Sequence, residues 1–274
     1  KTALGIELAE RLDTEIISAD SMQVYRGMDI GTAAPTLDER ARIKHHFVGF
    51  LDPGQLFSAG QFEREARRIV AGLNEQGKPA VVVGGSGLYV RALIDGLFEG
   101  PGRDEVVRAR LHDEARTVGV SDLFARLCTV DPSYAATIHP GDLRRIVRAL
   151  EVYEITGTPL SEHFRIQRLS GHSLPAIQVM PDWPRDRLYE RINCRVDRMI
   201  ELGFIDEVKA LVDVGFEGPL LRMRSLGYQE CIAHLRGKLT LEQATDAMKM
   251  NTRRFAKRQL TWFRTDRRIQ RLPP

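Results

Sequence analysis

The residues of this 274-residue chain that could do chemistry begin with its first two. Lys1 and Thr2 open a helical stretch and match the end of a phosphate loop, G-x-x-x-x-G-K-[ST], whose glycines would lie ahead of Lys1. In such a loop the ammonium and backbone N–H groups hold phosphate oxygens, and the hydroxyl ligates magnesium. An ordinary helix start explains the same pair, so the two residues need support from other segments.

A carboxylate and a glycine-rich segment each follow an apolar run. Asp20 comes directly after residues 15–19, and open α/β sheets bind ligands beyond the carboxyl ends of their strands. An Asp at that place can ligate a metal, act as a general base or simply cap a turn. The segment 84–87, GGSG, lies between a β-like run and a helical stretch. Its glycines allow either a ligand or another element to approach the backbone closely.

Basic residues form further candidate anion sites. The arginines of segment 144–148, RRIVR, lie close together on a helix and could clamp phosphates, or pair with Glu151 and Glu154. Arg224 lies in a turn between predicted helices and is another candidate anion ligand.

The adjacent histidines 45 and 46 could suggest a metal site, but neighbouring side chains rarely point the same way. They are interpreted as loop residues.

The net charge of +3 is unevenly distributed. Residues 250–274 carry eight basic side chains and one acidic, whereas residues 1–100 carry 11 basic and 14 acidic. In the last helical stretch Met248, Phe255 and Trp262 recur every seven residues and are predicted to be core. The opposite side carries Arg254, Lys257, Arg258 and Thr261. This pattern favours a polyanionic partner with salt-sensitive binding, and a solvated helix face is the alternative.

The elements that must position these residues alternate along the first hundred positions. Leu4, Leu8 and Leu12 fall on one side of a predicted helix, and residues 15–19 and 80–83 are predicted strands. Alternating helices and buried strands predict a parallel α/β sheet. The rest divides into a helical region at 103–168, a strand at 176–180 and helices near 185–202, 205–214 and 241–264.

Several classes of protein are excluded by composition. No apolar run approaches the roughly 20 residues that span a bilayer, and no signal-peptide pattern is present, so we expect no membrane partner. Cys128, Cys194 and Cys231 are far apart, which argues against a zinc site or a disulfide framework. We therefore expect a reducing, cytoplasmic setting. A monomer is the default expectation, because the sequence leaves the oligomeric state open.

Seven segments occur in the order in which one protein family has them. They are residues 1–2, 20–35 (DSMQVYRGMDIGTAAP), 45–53 (HHFVGFLDP), 84–93 (GGSGLYVRAL), 139–161 (HPGDLRRIVRALEVYEITGTPLS), 224–230 (RSLGYQE) and 257–264 (KRQLTWFR). Together they resemble the bacterial tRNA dimethylallyltransferases, also called tRNA isopentenyltransferases. The resemblance implies a P-loop NTPase-like parallel sheet flanked by helices, formed by residues 1–100 and 172–274. It also implies an α-helical insertion domain, residues 101–171, that contacts tRNA.

The resemblance also implies an activity and its residues. The family transfers a dimethylallyl group from dimethylallyl pyrophosphate to the N6 amine of the adenosine 3′ of the anticodon. Its phosphate loop would thus bind a prenyl donor, whereas such loops commonly bind ATP. Lys1 and Thr2 would bind pyrophosphate, with Thr2 on Mg²⁺, Arg224 neutralising the leaving group and Asp20 as general base. The implied contacts to the tRNA anticodon stem-loop are Asp20, Ser21, Met22, Gln23, Ser86, Arg108, Arg144, Arg145, Ile146, Val147 and Arg148. A protein that really began at Lys1 would be expected to fold but to transfer little.

Three alternatives are weighed against this interpretation. An adenylate isopentenyltransferase would use the same donor on a free nucleotide, but it needs neither a helical insertion nor a basic final helix. A P-loop kinase of a small metabolite explains residues 1–2 and none of the other segments. A non-catalytic RNA-binding protein would not need Asp20, Thr2 and Arg224 together.

Overall fold

The computed structural model describes residues 1–98, 100–169, 171 and 173–273. The chain forms two compact units, one from Lys1–Ile94 with Pro175–Pro274 and the other from Asp95–Leu174. The second unit is longer than the segment 101–171 predicted from sequence, by six residues at its start and three at its end. No helix in the described residues combines the length and the apolar character needed to cross a membrane.

The amino-terminal part of the first unit alternates helices with parallel strands. Its elements are α1 (Thr2–Arg11), β1 (Ile16–Ala19), α2 (Leu37–Arg42), β2 (His45–His46), α3 (Ala59–Glu75), β3 (Val81–Gly84) and α4 (Gly87–Asp95). The strands form a parallel sheet in the order β2-β1-β3. The parallel α/β class predicted from the alternation is therefore confirmed. The interpretation of His45 and His46 as loop residues is wrong, because both pair with β1.

Helix α1 packs on the sheet through the side that carries Gly5, Ile6 and Ala9, which are buried. Leu4, Leu8 and Leu12, predicted to share an apolar side, are 46, 44 and 41% exposed. Gly5 faces the sheet instead, and a Cβ there would lie 2.4 Å from Val83 Cγ2. Because only a residue without a side chain fits at that contact, α1 turns its glycine side inward and its leucines outward.

The second unit is built from helices. They are α5 (Glu105–Thr117), α6 (Val120–Val130), α7 (Pro132–Ala135), α8 (Leu143–Thr156) and α9 (Leu160–Leu169). Its core contains Leu111 of α5, Leu127 of α6, Leu150 of α8 and Leu160 of α9, all at most 2% exposed. These helices occupy the stretch that the sequence predicts to be helical.

A fully buried carboxylate lies at the centre of this second unit. Both oxygens of Glu151 accept hydrogen bonds from Arg108, at 2.8 and 2.9 Å, and Arg148 donates at 2.7 Å. The backbone N–H of Asp104 donates at 2.8 Å. Desolvation alone would raise the pKa of Glu151, but these hydrogen bonds outweigh it and lower the pKa.

The carboxyl-terminal part of the first unit is mainly helical. Its elements are β4 (Gln178–Pro181), α10 (Arg185–Glu201), α11 (Phe204–Asp213), α12 (Glu217–Met223), α13 (Tyr228–Leu235), α14 (Leu241–Arg264) and β5 (Ile269–Leu272). Strands β4 and β5 form a second parallel pair, and α14 packs against α10 and α13.

Only part of the predicted apolar side of α14 is core. Met248 is 2% exposed, as predicted, but Phe255 is 39% and Trp262 is 37% exposed. The guanidinium of Arg258 lies 5.7 Å from the Phe255 ring centroid, and that of Arg91 lies 5.2 Å from the Trp262 ring centroid. The two aromatic rings therefore meet cations at the edge of the unit, so their assignment to the core is corrected.

Replacing Glu151 with Ala should destabilise the second unit by roughly 3 kcal/mol, since two guanidinium groups lose their buried carboxylate. Urea unfolding followed by circular dichroism measures this as a lower midpoint. The control is Glu162→Ala, which removes an exposed carboxylate paired with Arg165 and should leave the midpoint unchanged. Equal midpoints for wild type and Glu151→Ala would contradict the stabilising role of this cluster.

Candidate active site

The carboxyl ends of β1 and β3 lie side by side and bring two predicted site residues together. Ala19 pairs with Gly84, so Asp20 and Ser86, each just beyond its strand, reach the same edge of the sheet. The Ser86 N–H donates to the Ala19 carbonyl at 3.1 Å. The Ser86 hydroxyl accepts a hydrogen bond from the Ser21 N–H at 2.9 Å. The segments that carry Asp20 and Ser86 are thus bonded directly to each other.

The Asp20 carboxylate lies between its own turn and Lys1. Its Oδ1 accepts a hydrogen bond from the Met22 N–H at 3.0 Å. Its Oδ2 lies 4.0 Å from Lys1 Nζ, and the Asp20 side chain is 23% exposed. Asp20 therefore caps a turn with one oxygen and places the other beside a cation and within reach of solvent.

A second cation near Asp20 comes from α10. Desolvation lowers the pKa of the Arg195 guanidinium, and the Asp20 carboxylate acts in the opposite direction. Desolvation also lowers the pKa of the Lys1 ammonium, with Asp20 raising it and Arg195 lowering it further. The Lys1 side chain is 44% exposed along its length, so this desolvation is partial. Two cations around one carboxylate can hold a phosphate-bearing anion beside a proton acceptor.

No sequence signal identified Arg195 as a site residue. Helix α10 carries arginines at several positions, among them Arg187, Arg191 and Arg198, and spacing does not separate one from another. Thr2, by contrast, lines the same cleft as Lys1, as the phosphate-loop pattern predicts.

The GGSG segment packs against the last helix. Gln259 Nε2 donates to the Gly85 carbonyl at 2.8 Å. A Cβ at Gly87 would lie 2.2 Å from Trp262 Nε1. Of the two explanations left open for these glycines, the structure supports close packing. Gln259 and Trp262 belong to segment 257–264, so two motifs far apart in sequence meet here.

Gln23 is used inside the protein. It is 7% exposed, and its Oε1 accepts from the Ser18 hydroxyl at 2.9 Å. Its Nε2 donates to the carbonyls of Thr32 and Ala33 at 3.3 and 3.1 Å. The amide thus shapes segment 20–33, and this geometry does not support the prediction that the Gln23 side chain contacts tRNA.

Arg224 is exposed at the end of α12, and in the described residues no ion pair joins it to Asp20. Its backbone is left-handed, with φ of 51°, which is uncommon for a side chain with a Cβ. Backbone strain of this kind clusters at functional sites, which is in keeping with a functional position. The neutralisation of pyrophosphate by Arg224 stays a prediction.

Two of the predicted RNA-binding arginines in the second unit are committed to Glu151. Arg108 and Arg148 both donate to this buried carboxylate, and Arg148 also donates to the Pro101 carbonyl at 3.0 Å. Their side chains are 25 and 28% exposed. The sequence leaves two alternatives for the arginines of segment 144–148, phosphate binding and pairing with Glu151 or Glu154. Arg148 pairs with Glu151.

The rest of segment 144–148 divides by exposure. Ile146 is 0% and Val147 is 3% exposed, and both belong to the core of the second unit. The prediction that their side chains contact tRNA is corrected, because a side chain packed in the core cannot reach a ligand. Arg144 and Arg145 are exposed. Arg145 Nε lies 3.5 Å from Asp142 Oδ2, and both arginines remain accessible to an RNA backbone.

Parallel strands with polar and charged side chains beyond their carboxyl ends are typical of α/β proteins, which bind their ligands at that edge of the sheet. The IPP transferase family matches residues 23–266. The tRNA dimethylallyltransferase of Geobacter metallireducens is 46% identical over 269 residues, which cover 98% of this chain and 87% of that protein. The one from Carboxydothermus hydrogenoformans is 47% identical over 271 residues, with the same coverage. The chain belongs to the IPP transferase family.

Solved structures of similar proteins have the same fold. The full-length tRNA isopentenylpyrophosphate transferase of Bacillus halodurans is 41% identical, with a TM-score of 0.70, and the match covers 100% of this chain and 86% of that one. A eukaryotic dimethylallyltransferase acting on tRNA is 30% identical, with a TM-score of 0.79 over 96% of this chain and 66% of that one. The P-loop-like class predicted from sequence is confirmed by these neighbours.

Replacing Ser86 with Ala should loosen the junction between the two strand ends. The Ser21 N–H would lose its acceptor, and leaving such a group unpaired costs about 1–3 kcal/mol. We expect amide hydrogen exchange around Ser21 to accelerate by about tenfold, the equivalent of 1.4 kcal/mol. Ser86→Thr keeps the hydroxyl and is the matched control with exchange close to wild type. Unchanged exchange in Ser86→Ala would show that this hydrogen bond does not hold the junction.

Proposed function

We propose that this protein transfers a dimethylallyl group from dimethylallyl pyrophosphate to the N6 amine of the adenosine 3′ of the anticodon in tRNA, releasing pyrophosphate. Membership of the IPP transferase family and relatives named tRNA dimethylallyltransferase over nearly the whole chain support this activity. The observation that carries the assignment of the site is Asp20, held beside Lys1 where β1 and β3 end.

Asp20 is the proposed general base. The lone pair of an adenine N6 amine is delocalised into the ring, so a positioned carboxylate that accepts its proton assists the attack. The nitrogen bonds to the allylic carbon, the carbon–oxygen bond to pyrophosphate breaks, and the amine proton passes to Asp20. The target base must leave the anticodon-loop stack to reach the site.

Lys1 and Arg195 are the proposed ligands of the leaving pyrophosphate. Negative charge accumulates on pyrophosphate as it departs, and cations placed in advance stabilise that charge. The charge of Arg195 acts on both Asp20 and Lys1, so Arg195 is proposed as a ligand beside Lys1. Arg224, which the family resemblance implies, is proposed as the further group that neutralises the leaving pyrophosphate.

The Thr2 hydroxyl suits a magnesium ion. It is a hard oxygen ligand, and Mg²⁺ commonly binds one or two protein groups together with waters and substrate phosphates. In the part of the chain that the structure describes, no three His, Cys, Asp or Glu residues gather as a metal site. A sparsely ligated ion of this kind is compatible with that arrangement. When bound, Mg²⁺ would supply further positive charge to the leaving group.

Two exposed basic surfaces support a tRNA acceptor over a free nucleotide. Arg254, Lys257 and Arg258 are exposed on α14, and Arg144 and Arg145 are exposed on α8. Contacts from such side chains to phosphates give affinity that falls with salt. An adenylate isopentenyltransferase would not need these surfaces, so that alternative is not favoured.

Prenyl incorporation tests the proposed reaction. Labelled dimethylallyl pyrophosphate is supplied with an anticodon stem-loop or with AMP, using protein that carries phosphate-loop glycines ahead of Lys1. We expect label in the stem-loop and little in AMP, since the basic surfaces of α8 and α14 suit an RNA phosphate backbone. Preferential labelling of AMP would overturn the tRNA assignment.

Replacing Asp20 with Asn should abolish most turnover and spare RNA binding. Asn keeps an oxygen for the Met22 N–H but cannot accept the amine proton, so turnover should fall by about 10²–10⁴-fold. Asp13→Asn is the control, because this carboxylate is 92% exposed and pairs with Lys78. Single-turnover kinetics and stem-loop binding are measured on both variants. Wild-type turnover in Asp20→Asn would remove Asp20 from the role of base.

A further inference from the structure

A carboxylate of α11 bonds three backbone groups of the loop that follows the active-site segment, residues 28–34, here called the 28–34 loop. Glu207 of α11 accepts hydrogen bonds from three successive backbone N–H groups of this loop. They belong to Asp29, Ile30 and Gly31, at 3.0, 2.6 and 3.1 Å. The Tyr228 hydroxyl donates a further bond to Glu207 Oε1 at 2.7 Å. Hydrogen bonds to an ionised acceptor are stronger than neutral ones, so these bonds fix the loop on α11.

The loop also fits closely against two aromatic rings. A Cβ at Gly31 would lie 2.2 Å from Phe204 Cε2 and 2.6 Å from Tyr228 Cε2. The two rings meet edge to face, with centroids 5.0 Å apart. The backbone at Gly31 therefore lies directly on these rings, and the glycine allows the N–H groups to reach Glu207.

The other side of the 28–34 loop holds Gln23. The carbonyls of Thr32 and Ala33 accept both hydrogens of the buried Gln23 amide, and Ser18 donates to its oxygen. Gln23 lies three residues after Asp20. Three N–H groups of the loop thus bond Glu207, and two of its carbonyls bond the segment that carries the proposed base.

We propose that Glu207 is a positioning residue for dimethylallyl transfer, acting through the 28–34 loop and Gln23 on the segment that carries Asp20. This inference rests on the function proposed above. In the described residues Glu207 contacts neither Lys1 nor Asp20, so any effect of its loss on Asp20 must pass through the 28–34 loop and Gln23, and Lys1 keeps its own contacts.

Glu207→Gln tests the positioning role by separating kcat from KM. An amide offers one acceptor oxygen, and its NH₂ group faces donors, so the three loop bonds cannot all form. We expect kcat for transfer to the stem-loop to fall tenfold or more, with KM for dimethylallyl pyrophosphate within about twofold of wild type. Asp206→Asn removes an exposed charge one residue away on the same helix and should match wild type. A raised KM for the donor with unchanged kcat would overturn the inference.

A double-mutant cycle shows whether the effect passes through Gln23. If it does, Glu207→Gln combined with Gln23→Ala should lower kcat no further than the worse single variant. Losses that multiply would overturn the proposed route. Tyr228→Phe, which keeps the ring and removes one bond to Glu207, should act in the same direction with a smaller loss. If Glu207→Gln does not fold, the kcat of Tyr228→Phe tests the same inference.

Hydrogen exchange tests the loop apart from activity. In Glu207→Gln the amides of residues 29–31 should exchange at least tenfold faster than in wild type, and those of α3 should not change. Unchanged exchange in the loop would overturn the inference. If wild type itself transfers no prenyl group, the proposed function fails, and this exchange result still decides whether Glu207 holds the loop.

Discussion

The site depends on the register in which β1 pairs with β3. Because Ala19 lies opposite Gly84, the two strands end together and their next residues share one edge of the sheet. A side chain at Gly84 would bring Cβ within 2.2 Å of the Ala19 carbonyl oxygen, so the approach requires glycine at this position. A slip of one residue would turn the side chains of a strand to its opposite face. Asp20 and Ser86 would then no longer lie together at one edge of the sheet, and the hydrogen bond from Ser21 to Ser86 would be lost.

Local patterns were sufficient for much of this arrangement. The rule that ligands bind beyond the carboxyl ends of parallel strands identifies Asp20 and segment 84–87 without knowledge of the fold. Long helices with apolar periodicity are also found well, as the observed bounds Arg185–Glu201 and Leu241–Arg264 show. Periodicity fails for α1, where the leucines are exposed, because the contact of Gly5 with Val83 decides which side faces the sheet. A residue without a side chain adds nothing to a hydrophobic pattern, so its part in packing is not visible there.

The charged residues that organise the site could not be identified from spacing. Glu207 is 176 to 178 residues from the loop it holds, and its partners are backbone groups that every sequence has. Arg195 is one of several arginines on α10. For Arg148 the sequence offers pairing with Glu151 or contact with phosphate, and burial of Glu151 decides between them. Only the fold shows which charges are buried together. A buried charge that loses its partner is strongly destabilising, so such charges occur in pairs.

In the segment after β1, one residue stabilises the fold and another is placed to act on a substrate. Gln23 faces inward and uses its amide on Ser18, Thr32 and Ala33, whereas Asp20 uses one oxygen on its own turn and directs the other to Lys1. A carboxylate at the position of Gln23 could not donate to two carbonyls, and an amide at the position of Asp20 could not take up a proton. The two residue types are therefore not interchangeable, although both were assigned to the same ligand from sequence. The fold alone does not determine which prenyl donor and which prenyl acceptor the protein uses. It does determine which of these two side chains can reach a bound substrate.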